Sequence, residues 1–304
     1  MSTIRNKSAS KIIYVTDLHL SQSTKGRLTD LCGRVQALPR SHKPDAIVLG
    51  GDTFGLNNSI WDKIVNNPHA HEHLSLAREE QERFVSSVFI GGTEKLMNNL
   101  PDLKIFYCAG NQDYYAQRYI EKNRFLFPRI ECIDGKIVTF GQFSLIGMGG
   151  IRANKPWGCS VAEGPQEDNF GYFVKDQMDA KREKIKQLME GATNIVFITH
   201  IPAYGHLDEE PGNENEKLHT GGKNLLGVVE RYRPILHLTG HVHSQLDGFY
   251  SIINENTVSV NPGGGEFHDK GVKAVMIDVE NLRLCREKNM PITPEVAEEF
   301  IVPF

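Results

Sequence analysis

Short apolar runs rich in β-branched residues recur along the chain. Longer stretches between them carry apolar residues three and four positions apart. Runs of the first kind suit strands, and stretches of the second suit amphipathic helices. The predicted strands are Lys11 to Val15, Ala46 to Leu49, Lys104 to Ala109, Ile137 to Phe140, Phe143 to Met148, Asn194 to Thr199, Ile235 to Thr239, Thr257 to Val260 and Val272 to Val279. Between the first two, Leu28, Leu31, Cys32, Val35 and Leu38 share one face of a helix that starts after Ser23 or Thr24. Similar spacing predicts helices over Glu79 to Leu100, Asp113 to Arg124, Val174 to Met189 and Lys223 to Tyr232. Strands alternating with helices predict an α/β fold. Lys136 to Met148 reads as a hairpin turning at Gly141 and Gln142, so the later strands pair differently from the first three and a second sheet packs on the first. Two loop-like insertions break the pattern, at about 149–171, with Lys155, Pro156, Trp157 and Gly158, and at 203–222, with Glu209, Glu210, Glu214 and Glu216. Long loops inside a compact domain often serve as functional lids.

A length of 304 residues allows one large or two modest domains; the reading adopted is one domain over 1–304, its insertions forming a substrate rim. Lys plus Arg is 34 and Asp plus Glu is 38, a net charge of −4, which disfavours long nucleic acid as a partner. Cysteines 32, 108, 132, 159 and 285 are odd in number and include no C-x-x-C pair, so no disulfide framework is implied. Met1 to Lys11 lacks an apolar leader and no 18-residue apolar run occurs, which predicts a cytoplasmic protein without a membrane segment.

The chemistry collects after the strands. The first is followed by Asp17-Leu18-His19, the second by Gly50-Gly51-Asp52, the third by Gly110-Asn111-Gln112-Asp113, the sixth by His200 and the seventh by Gly240-His241-Val242-His243. In open α/β sheets, sites form beyond the carboxyl ends of strands, so residues this far apart in sequence are predicted to converge. Asp17, His19, Asp52, Asn111, His200, His241 and His243 make two carboxylates, one amide and four imidazoles. Seven ligands exceed one tetrahedral ion and suit two ions with a shared carboxylate. Oxygen and nitrogen donors without thiolate favour manganese, iron or zinc, with nickel and magnesium also compatible.

The ordered set D-x-H, G-D, G-N, a lone histidine and G-H-x-H resembles the calcineurin-like metallophosphoesterases, over about Lys11 to Val279. The resemblance implies a four-layer α/β/β/α sandwich of two mixed sheets with a dinuclear metal centre at the strand ends. It assigns Asp17, His19 and His243 to one ion, Asn111, His200 and His241 to the other, and Asp52 as the bridge. The implied activity is phosphodiesterase or phosphatase hydrolysis by in-line attack of a metal-bridging hydroxide. The implied substrates are small phosphoesters, nucleotides among them. The resemblance also reaches a retromer subunit that serves as an interaction scaffold, which is the alternative reading; oligomeric state is not legible.

Many members read G-N-H-[DE], and here the histidine is replaced by Gln112. An amide donates a hydrogen bond but cannot supply a proton at neutral pH. Either leaving-group protonation is unimportant for the substrate, or another group drawn from His206, Tyr204, Arg152 and His219 serves the leaving group, with His206 preferred. Arg152 and Tyr204, with Asn111, are the predicted substrate contacts, and Lys155 and Trp157 could clamp a phosphate and stack a base. Asp113 reads as the cap of the helix that follows it. His69, His71 and His73 read as a solvated helix start, His42, His237 and His268 as structural, and Gly263 to Gly265 as a turn at the edge of the site.

Overall fold

The computed structural model describes residues 11–56, 60, 71–152, 172–173, 175–211, 217–243, 248–263 and 272–304. The strands of the first half are β1 (Lys11–Val15), β2 (Ala46–Leu49), β3 (Lys104–Tyr107), β4 (Ile130–Cys132), β5 (Ile137–Phe140), β6 (Phe143–Met148), β7 (Ile151–Arg152) and β8 (Tyr172–Phe173). Those of the second half are β9 (Ile195–Thr199), β10 (Glu209–Pro211), β11 (Lys217–His219), β12 (Leu236–Leu238), β13 (Tyr250–Ile253), β14 (Thr257–Val260), β15 (Ala274–Asp278) and β16 (Ile301–Pro303). The helices are α1 (Gly26–Ala37), α2 (His71–Phe84), α3 (Ile90–Asn99), α4 (Tyr114–Lys122), α5 (Lys175–Met189), α6 (Lys223–Tyr232), α7 (Val279–Glu287) and α8 (Pro294–Phe300).

Among the described residues twelve strands form two six-stranded mixed sheets, in the orders β16-β15-β1-β2-β3-β4 and β13-β14-β12-β9-β6-β5, while β7 pairs with β8 and β10 with β11. Alternate residues of each strand serve two different cores. Ile12 and Tyr14 of β1, with Ala46, Val48 and Phe106, meet Leu145, Val196, Ile198, Leu236, Leu238, Val258 and Val260 of the second sheet. Ile13, Val15, Ile47, Leu49 and Tyr107 face outward onto Leu28, Leu31, Val35, Phe89 and Leu96 of the helical layer. On the far side, Ile146, Met148, Ile195 and Phe197 pack on Ile185 and Met189 of α5 and on Leu225, Val228 and Val229 of α6. The result is the expected α/β/β/α sandwich. Burial on both faces explains why these strands read as unbroken apolar runs.

The predicted helix over Glu79 to Leu100 is divided into α2, a π-helical turn over Val85–Phe89, and α3. The wider turn brings positions five apart towards one face, where regular α winding would separate them. Phe84 and Phe89 thereby both reach Phe54, with ring centroids 6.3 and 4.9 Å away. The strand predicted over Val272 to Val279 ends at Asp278, whose carboxylate caps α7 by accepting from Asn281 N at 3.1 Å. Helix α8 starts from Thr293 with Pro294 in its first turn, and β16 then closes the sheet edge, where Pro303 needs no ladder donor. The loop expected over 203–222 contains the β10–β11 hairpin.

His237 is structural, as expected. Nε2 lies 2.9 Å from Thr199 Oγ1 and Nδ1 lies 3.1 Å from Ser259 Oγ. Burial pushes its pKa down to about 3. No helix among the described residues is long and apolar enough to cross a membrane. The segment at 153–171, with Lys155 and Trp157, lies outside the described residues, as do Glu214, Glu216, His69, His268, Cys159 and Gly264 to Gly265. His71 and His73 fall in α2, their side chains outside the description.

Candidate metal centre

The carboxyl ends of β1, β2 and β3 in one sheet and β9 and β12 in the other meet at one edge of the sandwich. Backbone pairs join them: Asp17 N donates to Gly51 O at 2.9 Å, His19 N to Asp52 O at 2.9 Å and Gly240 N to His200 O at 2.8 Å. The sheets are tied directly where His241 N donates to Asp17 Oδ2 at 2.9 Å. Thr16 Oγ1 donates to the same oxygen at 2.8 Å. The other oxygen, Oδ1, is buried without a hydrogen bond and lies 3.3 Å from Nε2 of His243. Nε2 of His19 stands 3.3 Å from that nitrogen.

A second group adjoins the first. Asp52 Oδ1 accepts from Gln112 N at 2.8 Å, while Oδ2 lies 3.5 Å from Nε2 of His200. That nitrogen is 2.8 Å from Asn111 Oδ1. The His241 ring stands 5.0 Å from the His200 ring. All seven side chains predicted to converge are therefore together. Potential ligand atoms of Asp17, His19 and His243, and separately of Asp17, Asp52 and His200, lie within 4.8 Å of one another, so Asp17 is common to both sets.

The backbone here is bent against its preference. Asp17, His19, Asp52 and His241 adopt φ of 52°, 45°, 44° and 69°, in the left-handed region. Each such residue costs on the order of 1–3 kcal/mol, which the cross-strand hydrogen bonds must hold in place. Gly110 is needed for a different reason. A Cβ there would stand 2.1 Å from Asp52 Oδ1.

Burial alone would raise the pKa of Asp17 and Asp52, but His243, His200 and His19 around them hold both below the usual carboxylate range. Burial opposes the charge on His200, yet Asp52 lifts it to about 9. Burial pushes His19 down, and burial with His200 takes His241 to about 4. Ionised carboxylates beside imidazoles offer oxygen and nitrogen donors that could hold a cation, for which His200 would have to give up its proton.

The model of the calcineurin-like phosphoesterase family matches residues 10–245. This chain belongs to the calcineurin-like phosphoesterases. A solved structure with 18% identity covers 89% of this chain and 95% of its own at a TM-score of 0.62. The protein TT1561 of Thermus thermophilus, 14% identical, covers 90% and 96% at a TM-score of 0.55. These likenesses concern the fold. A UPF0046 protein of Caenorhabditis elegans is 40% identical over 86 residues, a match spanning 26% of this chain and 27% of that protein. The family is metal-dependent, and the residues present fit divalent ions: Oδ1 of Asp17 has no hydrogen bond and lies 3.3 Å from the Nε2 nitrogen of His243, and the candidate ligand sets among the described residues hold carboxylates and imidazoles.

In this calcineurin-like phosphoesterase, Asp113 does not cap its own helix, contrary to the sequence expectation. It precedes α4, but its fully buried carboxylate accepts from Thr53 N at 2.6 Å and Gly110 N at 2.5 Å, binding the β2 and β3 loops together. Burial and the Asp52 carboxylate push its pKa up to about 7. Gln81 and Gln117, which sequence reasoning missed, complete the frame: Gln81 Nε2 donates to Gln112 O, and Ala109 N donates to Gln117 Oε1 at 3.0 Å. Nothing in one sequence distinguishes such glutamines from surface ones. Asp113→Ala is expected to lower unfolding stability by about 3 kcal/mol, since the buried N–H groups of Thr53, Phe54 and Gly110 lose their acceptor. A denaturant midpoint equal to wild type would contradict this.

A cleft of about 1120 Å³ opens from the centre, where Asp52, Asn111, Gln112, His241 and His243 line it. Arg152 and Tyr204, named in the sequence as substrate contacts, line the cleft too, and so does His219. His206 is not among its lining residues. It is half-buried with Nδ1 2.8 Å from Ser251 Oγ, and burial lowers its pKa. The partner of its ring is thus a serine of β13. Arg182 and Lys223 add cationic side chains and Met148, Met178 and Ile201 add apolar surface, none singled out by the sequence because each lies on an ordinary element or turn.

Proposed function

We propose that the chain is a phosphoester hydrolase holding two divalent ions, with Asp17, His19 and His243 on one, Asn111, His200 and His241 on the other, and Asp52 between. The observation carrying this reading is the presence of two adjoining ligand-atom sets, His19 and His243 in one and Asp52 and His200 in the other, with Asp17 in reach of both. Asp52 acts electrostatically on both His19 and His200, as Asp17 also does. Two such ions lower the pKa of water towards neutrality and offset charge on phosphoryl oxygens. Manganese, iron and zinc suit the donors best.

The chain's own residues do the rest. Asn111 and Gln112 present amides at the mouth of the centre, able to orient phosphoryl oxygens by hydrogen bonding. Arg152, Arg182 and Lys223 put positive charge along the cleft and draw an anionic substrate in. The cleft exceeds the volume of a phosphate group, and its apolar wall of Met148, Met178, Ile201 and Leu225 accommodates an organic substituent. A small phosphoester, such as a nucleotide, fits this description better than inorganic phosphate.

The test is hydrolysis of bis-p-nitrophenyl phosphate and p-nitrophenyl phosphate by metal-stripped protein reloaded in turn with manganese, zinc, nickel and magnesium. Metal-dependent turnover is expected, and the ratio of the two rates reports diester against monoester preference. Stoichiometric metal binding with no turnover of any phosphoester would instead favour an interaction scaffold.

A further inference from the structure

A phosphoester's departing oxygen needs a proton when the leaving group is poor, and Gln112 has none to give. Among the described residues lining the cleft, His219 is the imidazole outside the metal-ligand set. It ends β11, and its Nδ1 lies 2.9 Å from Oδ1 of Asp208. Asp208 is fully buried, and its other oxygen accepts from Gly221 N at 3.2 Å. A buried carboxylate is costly without such partners, so the pairing fixes the ring's orientation and tautomer. With Nδ1–H given to Asp208, Nε2 is the nitrogen left for substrate.

The surroundings are built for this pair. A Cβ at Gly221 would stand 2.7 Å from Asp208 Oδ2, so the close approach admits only glycine. Thr220 N donates to Asp208 O at 2.9 Å, and Gly222 N donates to Pro202 O at 2.9 Å, which anchors the end of the hairpin two residues beyond His200. The His219 ring packs on Tyr204 at 5.1 Å, and Nζ of Lys223 stands 4.7 Å from the Tyr204 ring centroid. Glu209 is the cross-strand partner of His219, and Arg152 and Arg182 line the same cleft.

We propose that His219 is the acid that protonates the leaving group, with Asp208 as its positioning residue; the assignment rests on the phosphoesterase reading above. As the P–O bond to the leaving group breaks, its electron pair stays on the departing oxygen, which takes the proton from Nε2 of His219. The new P–O bond forms from water, whose proton passes to solvent, and solvent returns a proton to His219. Asp208 keeps the ring aimed and offsets its positive charge, the part a carboxylate plays behind a histidine in acyl transfer.

The test compares diaryl phosphates with nitrophenolate and unsubstituted phenolate leaving groups, using the full chain loaded with metal. His219→Gln changes a partly exposed side chain and is expected to lower kcat about 100-fold for phenolate but less than about threefold for nitrophenolate. Metal stoichiometry by calorimetry stays at the wild-type value. Asp208→Asn is expected to shift the same ratio in the same direction at unchanged KM. It also abolishes the downfield imidazole N–H proton resonance that the carboxylate bond produces. Equal losses on both substrates in His219→Gln, or a resonance that persists in Asp208→Asn, overturn the assignment alone. Wild-type protein that binds metal and turns over neither substrate overturns the phosphoesterase reading, and the acid with it.

Discussion

Asp52→Asn is expected to remove metal-dependent turnover by at least about 10³-fold while leaving a folded chain. The asparagine keeps the size of the side chain, and it tolerates the left-handed backbone that Asp52 adopts at φ 44°. Its amide oxygen can still accept from Gln112 N, so the β2 and β3 loops stay joined. What disappears is the negative charge that both His200 and His19 feel. Two cations close together in a buried site repel unless a carboxylate lies between them. Calorimetric titration should therefore show weaker binding and a stoichiometry below that of wild type, with a far-ultraviolet circular dichroism spectrum unchanged. Turnover equal to wild type in this variant would falsify the assignment of Asp52 to the position between two ions.

Removing metal is expected to have the largest effect on stability. Asp17 and Asp52 are nearly wholly buried, and an oxygen of Asp17 accepts no hydrogen bond. Their charges are balanced among the described residues mainly by His243 and His200, so an ion that enters relieves an arrangement already costly to bury. A ligand that binds only the folded chain stabilises it by about 4 kcal/mol at a thousand times its Kd. For a chain of this size that corresponds to a thermal midpoint higher by about 10 °C. Scanning calorimetry of chelator-treated protein, before and after manganese or zinc is restored, measures it. Asp17→Asn should lose most of this increment, because Asp17 belongs to both ligand sets. An identical midpoint with and without ions would mean that the folded chain does not take up divalent metal at this site.

The α/β class and the strands β1, β2, β6, β9 and β14 were legible in the sequence because burial on both faces leaves an uninterrupted apolar run. The seven residues after five strands were legible for a different reason: Asp, Asn and His at strand ends are not explained by turn chemistry alone, and the order of their motifs is distinctive. Short edge elements left no such trace. Strands β4 and β16 have three residues each, too few to set a period, and β16 exists only because β15 offers it an edge. The π turn at Val85–Phe89 answers to Phe54, a contact no local pattern announces.

By itself, then, the sequence determined the α/β class and the identity of the residues that gather, since hydrophobic periodicity and ligand chemistry are properties of local composition, while the layer order followed from the family its motifs resemble. Tertiary structure alone decided which partner each of them meets. Asp113 looked like a helix cap and instead clasps two loops, because the nearest free N–H groups in space belong to Thr53 and Gly110. His206 and His219 were both candidate acids in the sequence, His206 the preferred one. They differ in the fold because the returning hairpin sets Asp208 behind one of them, while β13 takes up the other, and hydrogen-bond partners across a turn of chain are fixed by three-dimensional packing rather than by spacing.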